Sequence, residues 1–546
     1  MPYSSKDSSD FQDKALNLIT EGLEIADLFI NKNYLINLND YPVIPIDEIE
    51  KSFTFLNLFE VTKLVFDKSE NINEKLVSVY SALSNFGSTA LLIIAGNANG
   101  VRFFIGSRDI KRPDIAKSIL QKSLRGNFPG IKMSDMSVQN IQNTLTKLMP
   151  EKYSSYAVSS VSVVPSLRHK DKEGYVQGLE KFIDSMAGET YTAVFISKPK
   201  TKSELDTVKR GYEELYSALS QCEQTNMTYS ENQSESIAKS ISDNFVKSIS
   251  NGVSKSLTQS ESDSKSVNRG KNHGHNFGFF GMSVNGGSSS GTGKSYSKSH
   301  GTTEGDSHSE SESKGRTETS SDTTTNGSSL SLTVTSKNKT VKDLIEKIDH
   351  QLKRIRNCES YGLWDTACYF IAPEQEVCVV AANTFKALVS GEETAVEDSF
   401  VNNWSGEYTD MNDTMKVLEC IRYGTHPRFN YTEKNRSGIL TTQIVTPASL
   451  VSGIEMSVVM GFPYKSVSGL VSISSAEFGR NVYTDQAASL YKNVELGSIY
   501  HMGEVEKGNR VKLDLNSLSS HCFITGSTGS GKSNTIYKII EELGRI

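Results

Sequence analysis

No apolar run in this 546-residue sequence is long enough to cross a bilayer. Stretches such as Thr89–Ala95 and Cys378–Ala382 fall far short of the roughly 18–20 residues that a spanning helix needs. Met1 to Asp10 is polar and acidic, without the basic start and apolar centre of a secretory leader. Cysteine is scarce: Cys222, Cys358, Cys368, Cys378, Cys420 and Cys522 are the six present. That number in a chain of this length excludes a disulfide framework. The ten-residue spacing of Cys358, Cys368 and Cys378 lacks the close Cys-x-x-Cys pairs of metal sites, so these read as scattered thiols. The expectation is a reduced, cytoplasmic protein. A strong positive charge is also missing. With a formal charge of −6 and a pI near 6.0, no whole-chain attraction to nucleic acid exists, and only a local patch could supply one.

What is present divides the chain. Hydrophobic residues make up 36% and charged ones 22%, enough to bury ordinary cores and to exclude a wholly disordered or collagen-like chain. Residues 231–330 are the exception, with 27 serines and 13 glycines. The spacing of Ala15, Leu18, Ile19, Leu23, Ile25, Ala26 and Phe29 predicts a helix within residues 1–49, followed by a proline-containing link. From 50 to 200 strands and helices alternate, and the Asn97–Gly100 turn between two apolar runs predicts a hairpin. The fold class expected is therefore α/β (mixed α+β).

Between 201 and 357 the pattern changes. Leu205, Val208, Tyr212, Leu215, Leu219 and Cys222 step alternately by three and four, a heptad seam. Ile237 to Leu257 form a second stripe, and Val341, Leu344, Ile348, Leu352 and Ile355 a third. The plain reading is coiled helices interrupted by a low-complexity insertion at about 259–328. Loop closure costs only about 0.6 kcal/mol per doubling of length, so the insertion is tolerable. Inside it, Phe277–Val284 is an apolar island, readable as a partner or membrane contact or as a hairpin packed on the protein itself. His273, His275, His300 and His308 read as scattered residues rather than a metal site. Residues 358–490 form a further α/β segment, with Cys368–Phe370 and Val377–Ala381 expected as strands. Residues 491–518 then give two short strands.

The feature that carries chemistry is Gly526-Ser527-Thr528-Gly529-Ser530-Gly531-Lys532-Ser533. It satisfies G-x-x-x-x-G-K-[ST] at every fixed position. Cys522–Thr525 is expected as a buried strand leading in, and Lys532 onward as a helix leading out. Glycines permit close backbone approach, so successive N–H groups point at phosphates. The helix N-terminus adds partial positive charge. Lys532 would neutralise the β- and γ-phosphates of ATP and the Ser533 hydroxyl would ligate Mg²⁺, with Asn534 completing the cradle. Gly293-Lys294-Ser295 repeats part of the pattern, but Ser288 stands where its first glycine belongs and no apolar strand precedes it.

His521 to Asn534 resembles the H-x-x-I-T-G-x-T-G-S-G-K-S-N entry into the motor core of the HerA/FtsK superfamily of ring ATPases. Leu496–Ile499 and Val511–Leu515 are similar to the small β-barrel module preceding that core. Phe462–Gly469 resembles, more loosely, the segment that introduces the motor in conjugation and type IV secretion ATPases. The resemblance implies a small β-barrel at 491–518 and the start of a P-loop ATPase domain at 519–546. It also implies ATP and Mg²⁺ as cofactors, a homo-hexamer, and DNA as the translocated partner. Because the sequence stops one helix past the loop, the resemblance implies an N-terminal portion of a longer ATPase, with little turnover of its own. Two rivals stand beside the DNA translocase or helicase: an ATPase energising a secretion or conjugation machine, and a non-enzymatic assembly module.

Overall fold

The computed structural model describes residues 26, 30–67, 71–150, 156–166, 179–223, 227–230, 331–334, 339–390, 398–405, 411–434, 440–475, 479, 493–518 and 521–545. Most of the helix expected before Phe29, the stripe Ile237–Leu257, the island Phe277–Val284 and the four clustered histidines lie outside the described residues.

After β1 (Val43–Ile44) the chain runs β2 (Leu56–Phe66), α1 (Ile72–Phe86), β3 (Thr89–Asn97), β4 (Gly100–Arg108), α2 (Pro113–Asn127), β5 (Lys132–Asp135) and α3 (Val138–Leu148). β6 (Ala157–Ser162), α4 (Leu179–Ser185), β7 (Tyr191–Pro199) and α5 (Lys202–Glu223) follow. The short strands β8 (Met227–Ser230) and β9 (Ser331–Val334) bracket the serine-rich stretch and lead to α6 (Lys339–Cys358). Next come β10 (Leu363–Ala372), α7 (Gln375–Val389), β11 (Phe400–Trp404), α8 (Met411–Arg422), β12 (Arg428–Lys434), β13 (Leu440–Val445), β14 (Ser449–Ser452), α9 (Gly453–Val459) and β15 (Val471–Ser474). The last elements are β16 (Asn493–His501), β17 (Glu504–Asp514), α10 (Leu515–Leu518) and α11 (Lys532–Arg545).

A 10-stranded sheet organises the body, in the order β11-β6-β10-β7-β3-β4-β2-β15, with β14 beside β10 and β5 beside β2. β2 and β15 pair in parallel, and the other ladders of this sheet are antiparallel. Its central strands are buried along nearly their whole length, because helices cover both faces and both side-chain registers must be apolar. On β3, Leu91, Ile93 and Ala95 face one core with residues of α3, α5, α6 and α8. Ala90, Leu92 and Ile94 face the other, with residues of α1, α2, α4, α7 and α9. The period-2 alternation of a strand thus feeds two helical layers.

Local chemistry fixes the helix ends. The Asn71 side chain accepts from Asn73 N at 3.0 Å to start α1, and the Ser137 side chain accepts from Asn140 N at 3.3 Å to start α3. Ser452 and Glu455 form a capping box at α9, meeting two N–H groups that the helix leaves unpaired. Arg354 of α6 then grips Glu455 through two hydrogen bonds of 2.7 and 2.6 Å.

One finding had no counterpart in the sequence, and three expectations change. First, strands from 50–200 and from 358–490 share one sheet. β10 pairs with β6 along Cys368–Ala372 and with β7 along Trp364–Ile371, because a central strand with two apolar faces needs a neighbour on each edge. Second, Val377–Ala381 is helical, inside α7. Cys378, Ala381, Ala382, Phe385 and Val389 share the buried side there while Val380 is 54% exposed, and that 3.6-residue period overrides the β-branched run. Third, residues 491–518 hold an antiparallel hairpin, β16–β17, rather than a closed barrel, since two strands alone cannot close on themselves. Fourth, Cys522–Thr525 has no ladder partner among the described residues and is neither strand nor buried, with Cys522 and Phe523 exposed.

The helices flanking the insertion pack together. Leu205, Val208, Tyr212, Leu215 and Leu219 of α5 share one core with Val341, Leu344, Ile348, Leu352 and Ile355 of α6. β8 and β9 continue the pair as an antiparallel ladder, Met227 opposite Val334 and Ser230 opposite Ser331. The seam is not closed by these two helices alone, because the same core includes sheet residues such as Ile93, Val194 and Tyr369.

Candidate functional site

The glycine-rich loop stands between the β16–β17 hairpin and α11. Thr528 and Gly529 form a turn in which Ser530 N donates to Ser527 O at 3.2 Å. Gly529 and Gly531 have φ of +81° and +92°, left-handed backbone that side-chain-bearing residues rarely adopt. At Gly526 a Cβ would crowd the Ser530 hydroxyl, a side-chain end that can rotate away. The turn therefore calls for glycine at 529 and 531, where the backbone is left-handed.

Lys532 opens α11 and folds back across the loop. Its ammonium donates to Gly526 O at 2.7 Å and to Ser527 O at 2.6 Å, so two of its three donors brace the loop. Thr535 N and Thr535 Oγ1 both donate to Gly531 O, at 3.0 and 3.3 Å. The N–H groups of Lys532, Ser533 and Asn534 belong to the first turn of α11, where no carbonyl of the helix can reach them. Ser533 and Asn534 are exposed beside them. The sequence thus brings Gly526, Ser527, Thr528, Gly529, Ser530, Gly531, Lys532, Ser533 and Asn534 into one compact turn. This donor set has the chemistry to meet a polyphosphate: backbone N–H groups, one ammonium and the hydroxyls of Ser527, Thr528, Ser530 and Ser533, with left-handed glycines holding the curve.

Residues 494–545 match the family model described as the helicase HerA, central domain. That stretch is similar to the central domain of HerA-type P-loop ATPases, and it spans the hairpin, the loop and α11. No curated protein and no solved structure matches the chain.

None of the residues of α11 is buried. Ile536, Tyr537, Ile540 and Leu543 are exposed along it, and Phe523 is 89% exposed just before the loop. Lys538 pairs with Glu542 at 2.8 Å and Arg545 with Glu542 at 2.7 Å, pairs that contribute little at a solvated surface. Elsewhere Cys368, Cys378 and Cys420 are buried and Cys522 is exposed. Burial pushes the Cys378 and Cys420 thiols up to about 12, which makes them inert packing groups. Among the described residues no group of three or more His, Cys, Asp or Glu is placed to hold a metal, and no helix is long and apolar enough to cross a membrane.

A second cluster gave no sequence signal. Arg108, Lys198, Asp365, His426 and Arg428 line a pocket of mixed polar and apolar surface at one end of the large sheet. These residues sit on four strands and a loop that are distant in sequence, so no local spacing announces them.

Proposed function

We propose that the protein is an ATPase of the HerA kind, in which Gly526–Asn534 cradle the phosphates of ATP, and that it works as a hexameric DNA translocase or helicase. The observation that carries the reading is the loop-to-helix turn, in which the Lys532 ammonium lies 2.7 and 2.6 Å from two loop carbonyls. A γ- or β-phosphate competes for that ammonium, because charge-assisted hydrogen bonds to an anion exceed those to neutral carbonyls. On binding, Lys532 would leave its carbonyls and neutralise phosphate charge, while the first-turn N–H groups of α11 meet the phosphate oxygens. Ser533 would hold Mg²⁺, which supplies charge neutralisation at the bridging oxygens. Gly529 and Gly531 keep side chains out of the ligand's path.

The likeness of residues 494–545 to the HerA central domain supports DNA as the translocated partner. A titration of the full chain with a fluorescent ATP analogue tests the first part. Lys532→Ala should weaken binding by about 10–100-fold, the equivalent of a lost charged hydrogen bond worth about 1.5–3 kcal/mol. Lys538→Ala, on the same helix but past the first turn, should not. Equal affinity in Lys532→Ala and the parent chain would refute the assignment. For the second part, duplex DNA should bind with an affinity that falls steeply as salt rises. Salt-independent or absent DNA binding favours a protein substrate instead.

A further inference from the structure

A cleft of about 470 Å³ lies at the other end of the large sheet, where β3 and β10 end and β4 and β7 begin. Its floor is a row of residues directly opposed across four strands: Arg102 of β4, Ala95 of β3, Thr192 of β7 and Ile371 of β10. Opposed residues of an antiparallel ladder share a face, here the one that α3 covers with Ile141 and Leu145. The next row inward on that face is Phe104, Ile93, Val194 and Tyr369, all buried. Bulk therefore falls from Ile93 to Ala95 and from Val194 to Thr192 at the sheet's end, and a gap opens beneath α3. The helix roofs it with Asn143 and Lys147, and with Thr144 and Leu148, pairs four apart that stack on one side of a helix.

The exposed lining is mostly apolar. Small-molecule sites share that character, with volumes of about 300–1,000 Å³ and a few polar groups that orient the ligand. Arg102 supplies no free charge. Its Nε and Nη2 donate to Glu60 at 2.7 and 3.1 Å, and its guanidinium lies over the Phe104 ring, 4.9 Å from the centroid. Lys147 differs. It is exposed at the mouth and makes no ion pair or hydrogen bond among the described residues. Among those residues no Asp or Glu lines the cleft. Asn143 Oδ1 already accepts from Gln139 Nε2 at 3.2 Å, which leaves the Asn143 amide N–H groups as donors one turn from Lys147.

We infer that this cleft binds a small carboxylic acid with an apolar body. The body lies over Ala95, Thr192 and Ile371, and the carboxylate turns to Lys147 and Asn143 at the mouth. An ionised carboxylate only accepts hydrogen bonds, as an ammonium and an amide N–H group require. It also carries a single negative charge, matching the single uncompensated cation of the lining. A cavity of about 150 Å³ holds a benzene ring, so the volume here accepts an aromatic or medium-length aliphatic acid.

The test titrates the full chain with octanoate and, separately, with 1-octanol, which keeps the apolar body and removes the charge. Saturable octanoate binding is expected by calorimetry. Lys147→Gln should weaken it about fivefold, the equivalent of about 1 kcal/mol for a charge pair at a solvated mouth, and should leave 1-octanol binding unchanged. Thr192→Leu fills the floor and Thr144→Phe fills the roof, so each should weaken both ligands about tenfold or more. Lys122→Gln, on an exposed part of α2, should alter neither. The inference fails if octanoate does not saturate. It fails equally if octanoate binds the parent, Thr192→Leu and Thr144→Phe alike, with circular dichroism showing each variant folded. An octanoate affinity that Lys147→Gln leaves untouched overturns the carboxylate assignment.

Discussion

Ile348 offers a direct test of how the helices around the insertion are held. It is fully buried, in the same core as the equally buried Leu215 and the sheet residues Ile93 and Val194. Ile348→Ala removes three carbons. At about 0.8 kcal/mol per buried methylene the transfer loss is roughly 2.4 kcal/mol, and an unfilled cavity raises the total to about 3–4 kcal/mol. Because α6 packs on the central sheet, this loss belongs to the cooperative unfolding of the whole body. Urea unfolding followed by circular dichroism should show a lower midpoint with an unchanged slope. The melting temperature should fall by at least about 6 °C, taking about 2 °C per kcal/mol for a large domain. Leu215→Ala should behave alike. If the two side chains touch, the double variant should lose measurably less than the sum, by about 0.5 kcal/mol or more. An unchanged midpoint, with the only effect a shift in sedimentation, would mean that these stripes pack against another chain and would refute the intramolecular arrangement.

Replacing residues 259–328 with a short flexible linker should leave the melting curve nearly unchanged, since that stretch lacks the apolar density to offset about 1–2 kcal/mol of backbone entropy per residue. A large drop, read by calorimetry, would assign Phe277–Val284 to the core. Arg354→Met should cost about 3–5 kcal/mol by leaving Glu455 nearly buried without its cation, and Arg354→Met with Glu455→Leu should recover part of that in the same denaturation assay. Stability should fall on acidification through His426. Its pKa of about 4 in the fold lies below the ordinary value of about 6.5, so the unfolded chain takes up the proton first. The contribution is complete above about pH 6.5 and is lost towards pH 4, at most about 3 kcal/mol because part of the ring faces the pocket. His426→Gln should flatten that slope in denaturation curves recorded from pH 7 to 4, and an unaltered slope would remove His426 as the cause.

Local signals were legible where one element decides its own shape. The Asn97–Gly100 turn does join paired strands β3 and β4, and the stripes of Leu205–Leu219 and Val341–Ile355 are buried as their spacing implies. The loop at Gly526–Ser533 was visible because its glycines and lysine act within eight consecutive positions. The run Val377–Ala381 misled because five small or β-branched residues in a row satisfy a strand locally, while Phe385 and Val389 only later reveal a helical face. Sheet order was not legible at all. Nothing near Leu363–Ala372 says that its edges meet β6 and β7, since ladder hydrogen bonds are made by backbone groups common to every residue. The pocket around Arg108 and Arg428 was hidden for the same reason: its residues meet only after the sheet has assembled.

The place of β10 has a consequence for biosynthesis. β6 and β7 leave the ribosome with no strand between them, and the 163 residues from 200 to 362 must be made before Leu363 emerges. At roughly 5–20 residues per second, that interval lasts about 10–30 s. Throughout it, the edge of β7 that later receives β10 presents unpaired N–H and C=O groups. The nascent chain therefore waits, half a sheet in hand, for a strand encoded beyond its serine-rich interruption. A longer interruption would lengthen the time for which that edge stays open to pairing with other chains.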